Sequence, residues 1–583
     1  MRPIVIAIVL ARCLAAQSGP QAREPVVRAI PVLERSASAF VSKRACVSCH
    51  HNILPILMLH MARDRGLVVD PAVLSAVEQR TFHALRGPAA LDDAVRAVTL
   101  DDPTPDDSFL LMAAHAAGVP PDLTTAVYAR RLAAWQRDGH WVTSDFRPPH
   151  SSSLFTATAS AVRAIRLYMP EELGVERDAV LLRARRWLSE TGPASTEDAS
   201  FRLMGLVWAG ASAGEIAAAR RDLTALRAPS GGWPELPGYP ADAYSTGEAL
   251  YALHESGTPV TDQVWRMGSF FLISTQAKDG TWRVHTRMIS PAQVSPEYFS
   301  TGFPYAKDEY LSYAGSVWAA MALLEAIPVP ANSQIRVGHT EEYFPPYAST
   351  ALFGTAQQLS ALLDSGLNPN SATPKGTTLL MMAAPDAAKV KLLLGRGAAS
   401  SLEALTIAAA YRNTATAIQL LADKTNPNPP EGARVRKLPL TFAAMTGDLE
   451  NVRLLLAHGA DPTDALAPAV TFGYPDIVKT LIAAGASAKG TESSGINLLH
   501  WAVITNHPEV IPPLVEAGVP VNATDNFGYT PLMYAATIDF GNKGAIAALL
   551  KAGADPKIRN DEGRTPIEQA RYYHHGLLEE SLR

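Results

Sequence analysis

The chain has 583 residues, which at about 100–200 residues per domain gives room for several domains. Hydrophobic residues make up 47% of it and charged residues 18%, so large cores can be buried and a wholly disordered chain is excluded. Because 51 basic and 56 acidic residues leave a formal net charge of −5, there is no broad cationic field to hold a nucleic-acid backbone.

The N-terminus has the pattern of a secretory signal peptide, predicted over residues 1–16. Arg2 precedes an apolar run over residues 4–11, and small residues follow Cys13. Arg12 interrupts this pattern, so a buried N-terminal helix remains the alternative. The run is too short to span a bilayer, and no later stretch reaches the ~20 apolar residues that a membrane helix needs. The sequence predicts a periplasmic or secreted protein that does not span a membrane.

Two of the three cysteines lie in the motif C-x-x-C-H, formed by Cys46, Cys49 and His50. This is the attachment pattern of c-type haem: two thiols form thioethers to the porphyrin, and the next residue offers an imidazole to the iron. Residues 40–66 are therefore predicted as a haem-attachment segment, with covalent haem c as cofactor and His50 as the metal ligand. A redox-active or structural Cys46–Cys49 disulfide, half of a zinc site and chance remain alternatives.

No second axial ligand follows from the spacing. A helix predicted after residue 52 carries three potential ligands, but a short rise along one helix does not carry a side chain to the opposite haem face. Two further candidates lie on a later predicted helix and equally suit a packed core. The distal ligand stays open, with a five-coordinate iron as one option; the candidates are Met58, His60, Met61, Met112 and His115.

An internal repeat occupies residues 55–328. Phe109 and Phe201 are 92 residues apart, and so are the motifs Gly139-His140-Trp141 and Gly231-Gly232-Trp233. Half of that offset, 46 residues, suits two helices and two turns, and a third G-x-W motif ends at Trp282. Apolar, helix-period stretches follow each motif. The repeat predicts about six helical hairpins closing in a ring, with the inner helices buried.

The segment from Gln276 to Trp282 fits the Q-x-x-x-G-x-W repeat of the squalene and oxidosqualene cyclases. Residues 55–328 thus resemble the α/α toroid of terpenoid cyclases and protein prenyltransferases. That resemblance implies a cyclase acid in a D-x-D-D motif or a prenyltransferase zinc site. The chain has no D-x-D-D, and the toroid has no cysteine, so the sequence favours a non-enzymatic role. Four polar residues are candidates for a toroid pocket: Arg147, Asp242, Tyr244 and His285.

A Pro-rich linker is predicted over residues 329–349, and a second repeat follows over residues 350–575. Leu-Leu segments that end in a glycine turn recur there at about 33-residue spacing. The segments starting at Gly528 and Gly563 resemble the G-x-T-P-L-H-x-A-A consensus of ankyrin repeats. The resemblance implies about six or seven repeats that bind a protein partner. Partner contacts are expected at Tyr474, Asn526 and Tyr529.

The predicted fold class is therefore all-α, with an α/α toroid followed by an ankyrin solenoid. The favoured function is an exported c-type haem protein that transfers electrons or senses redox state in a complex with a partner protein. One alternative is a toroid enzyme that acts on an isoprenoid or another apolar substrate. The other is a non-catalytic scaffold with a Cys46–Cys49 disulfide.

Overall fold

The computed structural model describes residues 18–44, 47–96, 103–145, 147–150, 152–287, 300–330, 344–432 and 438–583. The predicted signal peptide lies outside these residues, as do Cys46 and most of the predicted linker. The described chain is mostly helical, which confirms the all-α class. Within it the only sheet is a two-stranded antiparallel ribbon of Trp233–Pro234 (β1) and Ala241–Asp242 (β2). Among the described helices, none is both long and apolar enough to cross a membrane.

The first half of the chain builds a helical ring, and its helices alternate between an outer and an inner layer. The inner helices are α2 (Leu54–Asp64), α5 (Pro103–Ala116), α7 (Leu154–Tyr168), α9 (Thr196–Trp208), α11 (Ala243–Glu255) and α13 (Glu309–Leu324). The outer helices are α1 (Ser18–Lys43), α3 (Pro71–Thr81), α4 (Ala90–Arg96), α6 (Leu123–Ala134), α8 (Gly174–Glu190), α10 (Ala213–Ala225) and α12 (Gln263–Thr275).

The inner helices form a closed ring, because each packs against the next and α13 packs back onto α2. Outer helix α1 also contacts α12 and α3, so the outer layer closes across the same junction. Since outer helices return the chain between successive inner helices, the inner helices run in one direction. The loops that lead into them form the N-terminal mouth of the ring, and their opposite ends form the C-terminal mouth.

Each G-x-W motif fastens an outer helix to the inner helix that follows it. The indole nitrogens of Trp141, Trp233 and Trp282 donate to carbonyls of the preceding outer helix at 2.7–2.8 Å. Their backbone amides donate to hydroxyls on the following inner helix, at Thr158, Thr246 and Ser316. The buried tryptophans thus have their polar atoms satisfied, which explains why the motif repeats with the hairpin.

The second half forms eight helix pairs in the described residues, from 348 to 581. They are α14 (Ala348–Leu352) with α15 (Ala356–Asp364), α16 (Leu379–Ala383) with α17 (Ala387–Gly395), α18 (Leu402–Ala410) with α19 (Thr414–Ala422), α20 (Pro439–Met445) with α21 (Leu449–Ala457), α22 (Leu466–Thr471) with α23 (Pro475–Ala483), α24 (Leu498–Ile504) with α25 (Ile511–Glu516), α26 (Pro531–Thr537) with α27 (Gly544–Lys551), and α28 (Pro566–Tyr572) with α29 (Gly576–Ser581). The array has more helix pairs than the predicted six or seven repeats, because the predicted range ended at residue 575, before α29.

Asparagine side chains connect successive loops of this array. Asn370, Asn428 and Asn522 each donate through Nδ2 to the carbonyl of the glycine that ends the next helix pair. The Oδ1 atom of each accepts a backbone amide two residues beyond that glycine, at 2.8–2.9 Å. These bonds satisfy loop amides and carbonyls that helix ends leave without partners, and so hold neighbouring pairs at a fixed spacing.

The array packs along the ring rather than standing apart from it. Trp135 donates its indole N–H to the carbonyl of Ala410 at 3.0 Å, and its ring packs edge-on against Phe472. The Arg137 guanidinium lies over the Tyr474 ring, 4.6 Å from its centre. Further contacts run along both halves: Arg96 to the Lys375 carbonyl, Arg130 to the Leu352 carbonyl, Arg412 to the Gln136 carbonyl, Arg287 to the Asp539 carbonyl, and Tyr239 to the Asp539 carboxylate.

Candidate functional site

The residues that follow the C-x-x-C pair lie at the N-terminal mouth of the ring. Cys49–Ile53 form a single wide helical turn that leads directly into α2. The Asn52 side chain accepts from the backbone amide of Ser48 at 2.9 Å and fixes the turn. Pro55 stands in the first turn of α2, where no intrahelical donor is required. This turn places His50 and His51 against the inner helices. Cys46 lies outside the described residues, as does the side chain of Cys49.

His50 is enclosed by aromatic and imidazole rings. Its ring centre is 4.4 Å from that of Tyr310 and 6.4 Å from that of His150. Its Nδ1 atom is 2.8 Å from Ser48 Oγ. Burial lowers the pKa of His50 well below its usual range, and the charges of His51, Arg147 and His150 lower it further. The imidazole is therefore neutral at pH 7, the form in which a histidine binds a metal.

His51 is stacked between two rings. Phe40 lies 4.9 Å away on one side and Tyr313 lies 4.1 Å away on the other, both within 9° of parallel. The residue is 4% exposed, and neither of its ring nitrogens has a hydrogen-bond partner among the described residues. Burial lowers its pKa to about 3. A neutral His51 is thus part of the wall of the site.

A buried hydrogen-bonded chain extends from His150 into the ring. Its Nδ1 lies 3.1 Å from the Tyr244 hydroxyl, which donates to Glu197 Oε2 at 2.9 Å. Glu197 also accepts from the hydroxyl of Thr156. Burial lowers the pKa of His150 to about 3, and the Arg147 charge adds to this effect. The four side chains therefore connect the N-terminal mouth to the interior of the ring.

Two buried glutamates were not anticipated as site residues. Burial raises the pKa of Glu197 to about 7 despite its hydrogen bonds from Thr156 and Tyr244, and burial also raises the pKa of Glu248 well above its usual range. Both residues are buried on inner helices. In the sequence, Glu197 looks like an ordinary acidic residue in the first turn of a helix, so no pattern indicated that it is a site residue. Glu248 could have been found, because it is the one acidic residue in the central turns of a helix predicted to be buried.

The four predicted pocket residues do not form one pocket. Tyr244 and Arg147 adjoin His150. Asp242 instead caps α11, accepting from the Ser245 amide at 2.9 Å, and its pKa is raised well above its usual range by burial and then by Glu235. His285 stands on the rim that faces the array, 3.3 Å from Asp308, whose hydrogen bond raises the His285 pKa.

A cavity of about 210 Å³ lies at the opposite, C-terminal mouth, and none of the four predicted residues lines it. Repeat-related side chains of α5 and α9 form much of its wall: Phe109, Met112, Phe201 and Met204. The rim also carries charged groups, Arg163 and Glu255 among them. Four of the five distal-ligand candidates, His60, Met61, Met112 and His115, line this cavity. Met58, the fifth, is fully buried.

Among the described residues, no group of three or more His, Cys, Asp or Glu side chains is arranged to hold a metal ion by itself. The side chains of the motif cysteines lie outside the described residues. The described part of the mouth contributes the imidazoles of His50, His51 and His150 and the hydroxyls of Ser48 and Tyr244.

The residues expected to contact a partner protein occupy different environments. Asn526 is exposed at a loop tip, as expected. Tyr474 is 6% exposed, because it packs under Arg137 of the ring. Tyr529 is 5% exposed, and its hydroxyl contacts Gln569 and Glu562 of the neighbouring helix pair. Tyr474 and Tyr529 were therefore wrongly assigned to the partner surface: both stabilise the fold of the chain itself.

The sequence profile of the family Ankyrin repeats matches residues 380–465 and 466–560. The helix pairs in those ranges are thus ankyrin repeats, and the array is a protein-interaction domain. No curated protein matches the chain.

Proposed function

We propose that the protein carries a covalently attached haem at Cys46, Cys49 and His50 and works as an exported electron-transfer or redox-sensing subunit, with its ankyrin array binding a partner protein. The observation that carries this proposal is the position of His50. The imidazole that follows the two thiols in sequence is held in the mouth of the ring, where aromatic side chains surround it.

The donor set fits a haem. A c-type haem needs two thiols next to an imidazole, and its iron is tuned by burial and by hydrogen bonds to the ligand. The Ser48 hydroxyl at His50 Nδ1 is such a hydrogen-bond partner. Tyr310 lies close against His50, so it must turn aside when a porphyrin binds. When bound, the haem supplies one-electron chemistry that the amino-acid side chains lack.

The ring supplies protein surface around the short motif segment, which is too small to enclose a haem by itself. Residues 40–66 are too few to enclose a porphyrin, but α1, α13 and the turn at 49–53 pack together at the mouth. The ankyrin array contacts the loops at the same end of the ring, including residues 135–137 and 287. A partner held by the array would therefore stand close to the haem.

The test is the spectrum of the full chain purified from a host that matures c-type haem. A covalent haem gives a haemochrome spectrum that survives denaturation. The double variant Cys46→Ala/Cys49→Ala is expected to lose it. A colourless wild-type protein whose mass shows two free thiols or one disulfide would contradict the proposal and favour the scaffold alternative.

A toroid enzyme is the second candidate, favoured by the cavity and the buried carboxyl groups. Glu197 and Glu248 precede the cavity-lining residues Phe201 and Tyr251 by one helical turn, about 5 Å along the axis. A carboxyl group with a pKa of about 7 is a weak acid for protonating an alkene. The site thus suits a substrate with a hydrogen-bonding head and an apolar tail.

Incubation of the purified chain with isoprenoid lipid extracts tests the second candidate. Product formation by the wild type that is lost in Glu248→Gln would support it. Extracts that remain unchanged by both proteins would count against an enzyme.

A further inference from the structure

We infer that His150 is the second axial ligand of the haem, on the face opposite His50. This inference rests on the proposed covalent haem. It names the residue that the sequence left open, and it predicts a six-coordinate iron with two imidazoles.

The two imidazoles have the separation that a shared metal requires. Transition-metal–imidazole bonds are about 2 Å long, and each nitrogen is about 1 Å from its ring centre, so two trans imidazoles have centres roughly 6 Å apart. The observed distance between the ring centres of His50 and His150 is 6.4 Å, and the ring planes are 88° apart. The two ring centres therefore stand at the spacing that an iron between them requires.

The hydrogen bonds around His150 fix which nitrogen can bind. Because Tyr244 donates its hydroxyl proton to Glu197, its oxygen accepts from His150 Nδ1–H. The lone pair of the imidazole is then on Nε2. Metal-binding histidines usually donate their second ring N–H to an acceptor in this way, which orients the ring and increases its basicity. At His50 the Ser48 hydroxyl lies nearer to Nδ1, at 2.8 Å, than to Nε2, at 3.3 Å.

The other candidate ligands are placed elsewhere. His60 is paired with Glu78, its Nε2 atom 2.7 Å from Oε1. Met61, Met112 and His115 line the cavity at the C-terminal mouth. His51 directly follows His50, so it cannot reach the opposite face of the same haem, and its own faces are covered by Phe40 and Tyr313.

The test compares the iron spin state of haem-loaded wild type and His150→Ala. Electron paramagnetic resonance and near-infrared magnetic circular dichroism of the wild type are expected to show a low-spin iron with two imidazoles. His150→Ala is expected to lose the low-spin signal, become high-spin, and regain the low-spin state when imidazole is added. Its denatured haemochrome should remain that of the wild type, since the thioethers are untouched.

Two kinds of variant check the specificity of this result. Met112→Ala and His115→Ala remove rival ligands and are expected to leave the spin state unchanged. Tyr244→Phe retains the ring but removes the hydroxyl that holds His150 Nδ1, so the midpoint potential should shift to a more positive value while the iron stays low-spin. The circular dichroism of every variant establishes that it is folded.

The outcomes separate the inference from the proposal beneath it. A wild type without covalent haem would overturn both. Three results would overturn the assignment of His150 and leave the covalent haem standing. They are a high-spin iron in the haem-bearing wild type, a methionine as its iron ligand, and an iron that stays low-spin in His150→Ala.

Discussion

At the scale of single residues, the ring contains a buried ion pair between two neighbouring helices. Arg131 of α6 meets Asp107 of α5, with Nη2 and Oδ2 2.8 Å apart and both side chains almost fully buried. Burial raises the pKa of Asp107 to about 6, although the Arg131 charge opposes the shift. Arg131→Met is expected to lower the free energy of unfolding by about 3–5 kcal/mol, because it leaves a carboxylate buried without its partner. Urea titration measures the loss.

An exposed ion pair is the matched control for Arg131. Arg177 pairs with Glu171, whose side chain is 88% exposed, so Arg177→Met should cost no more than about 1 kcal/mol. The double variant Arg131→Met/Asp107→Leu should regain much of the lost stability. Equal losses in the Arg131 and Arg177 variants would contradict this view of the buried pair.

Asp308 should make the stability of the ring depend on pH. Burial alone would raise its pKa, but hydrogen bonds from His285, Arg283 and the Thr286 amide outweigh burial and lower it to about 2. A carboxyl group with a depressed folded pKa stabilises the fold above its unfolded pKa, and this contribution disappears as the pH falls through the folded value. The wild type should therefore lose on the order of 2 kcal/mol more than Asp308→Asn between pH 5 and about 2.

His285, the partner of Asp308, should make the free energy of unfolding depend on pH in the opposite direction. Its pKa is raised, so its contribution is present below the unfolded pKa and is lost as the pH rises through the folded value. Urea titrations at several pH values measure both the loss of stability at low pH and the loss at high pH. Asp178→Asn, at an exposed position, is the control and should follow the wild type throughout. Parallel curves for the wild type and Asp308→Asn would refute the assignment.

The sequence predicted some site residues better than others. His50 could be singled out, since the motif fixes the order of thiols and imidazole. His150 carries no such pattern, because it reaches the Tyr244 hydroxyl from a loop 94 positions away along the chain. Polarity alone grouped the four candidates for a toroid pocket, Arg147, Asp242, Tyr244 and His285. The structure separates Asp242 and His285 from the other two, since polarity does not encode which loops meet.

At the scale of helices, the ring depends on close approach between α11 and α13. A Cβ atom on Gly247 would lie 2.5 Å from the backbone nitrogen of Ala319 and equally close to the carbonyl carbon of Trp318. Gly247→Ala must push these helices apart and should destabilise the protein by about 1–3 kcal/mol, as overpacked cores do. Thermal unfolding followed by circular dichroism measures the change.

Gly395 is the control, because it is also a helical glycine, the last residue of α17, and no described atom lies within 4 Å of a Cβ added there. At the end of a helix the gain in helix propensity is small, so Gly395→Ala should change the free energy of unfolding by no more than about 0.5 kcal/mol. A Gly247→Ala variant as stable as Gly395→Ala would show that α11 and α13 are not in close contact.

Repeats in the sequence carried most of the information about these elements. The 92-residue offset between the G-x-W motifs identified the hairpin unit, since each tryptophan makes the same two hydrogen bonds in every copy. The Asn370, Asn428 and Asn522 bonds were missed, because asparagine in a loop is usual and its spacing varies. The eighth helix pair was missed because its second helix, α29, lacks the Leu-Leu segment with a glycine turn at its end and lies beyond residue 575.

At the scale of the whole molecule, ring and array behave as one assembly. Trp135→Ala removes an indole that donates to the Ala410 carbonyl and packs against Phe472. The expected result is faster amide hydrogen exchange in α18 and α22 of the array, because these helices lose a contact that restrains local opening. Hydrogen–deuterium exchange with peptide resolution, on the full chain, measures it.

Trp187→Ala is the control for Trp135→Ala. Trp187 packs within the ring, against His140 and Phe155. Its removal should lower the stability of the ring while exchange in α18 and α22 stays at the wild-type rate. Unchanged exchange in Trp135→Ala would show that the array does not depend on this contact.

The association of the two halves could not be predicted from either repeat. Periodicity identifies elements that pack on their sequence neighbours, but Arg137 and Tyr474 are separated by more than 300 positions and belong to different repeats. Tyr474 was for that reason interpreted as a partner contact. The array thus uses part of its surface for its own chain, which leaves the loop tips, such as Asn526, for another protein.

The junction between α1 and the last hairpin has a consequence for how the chain is made. Gly280 approaches the backbone of Arg28 so closely that a Cβ atom would collide with it, and the side chain of Gln276 donates to the Pro25 carbonyl. During synthesis α1 is completed more than 200 residues before these partners exist. Because these contacts join residues so distant in sequence, the ring can close only after the residues around Gly280 have been synthesised.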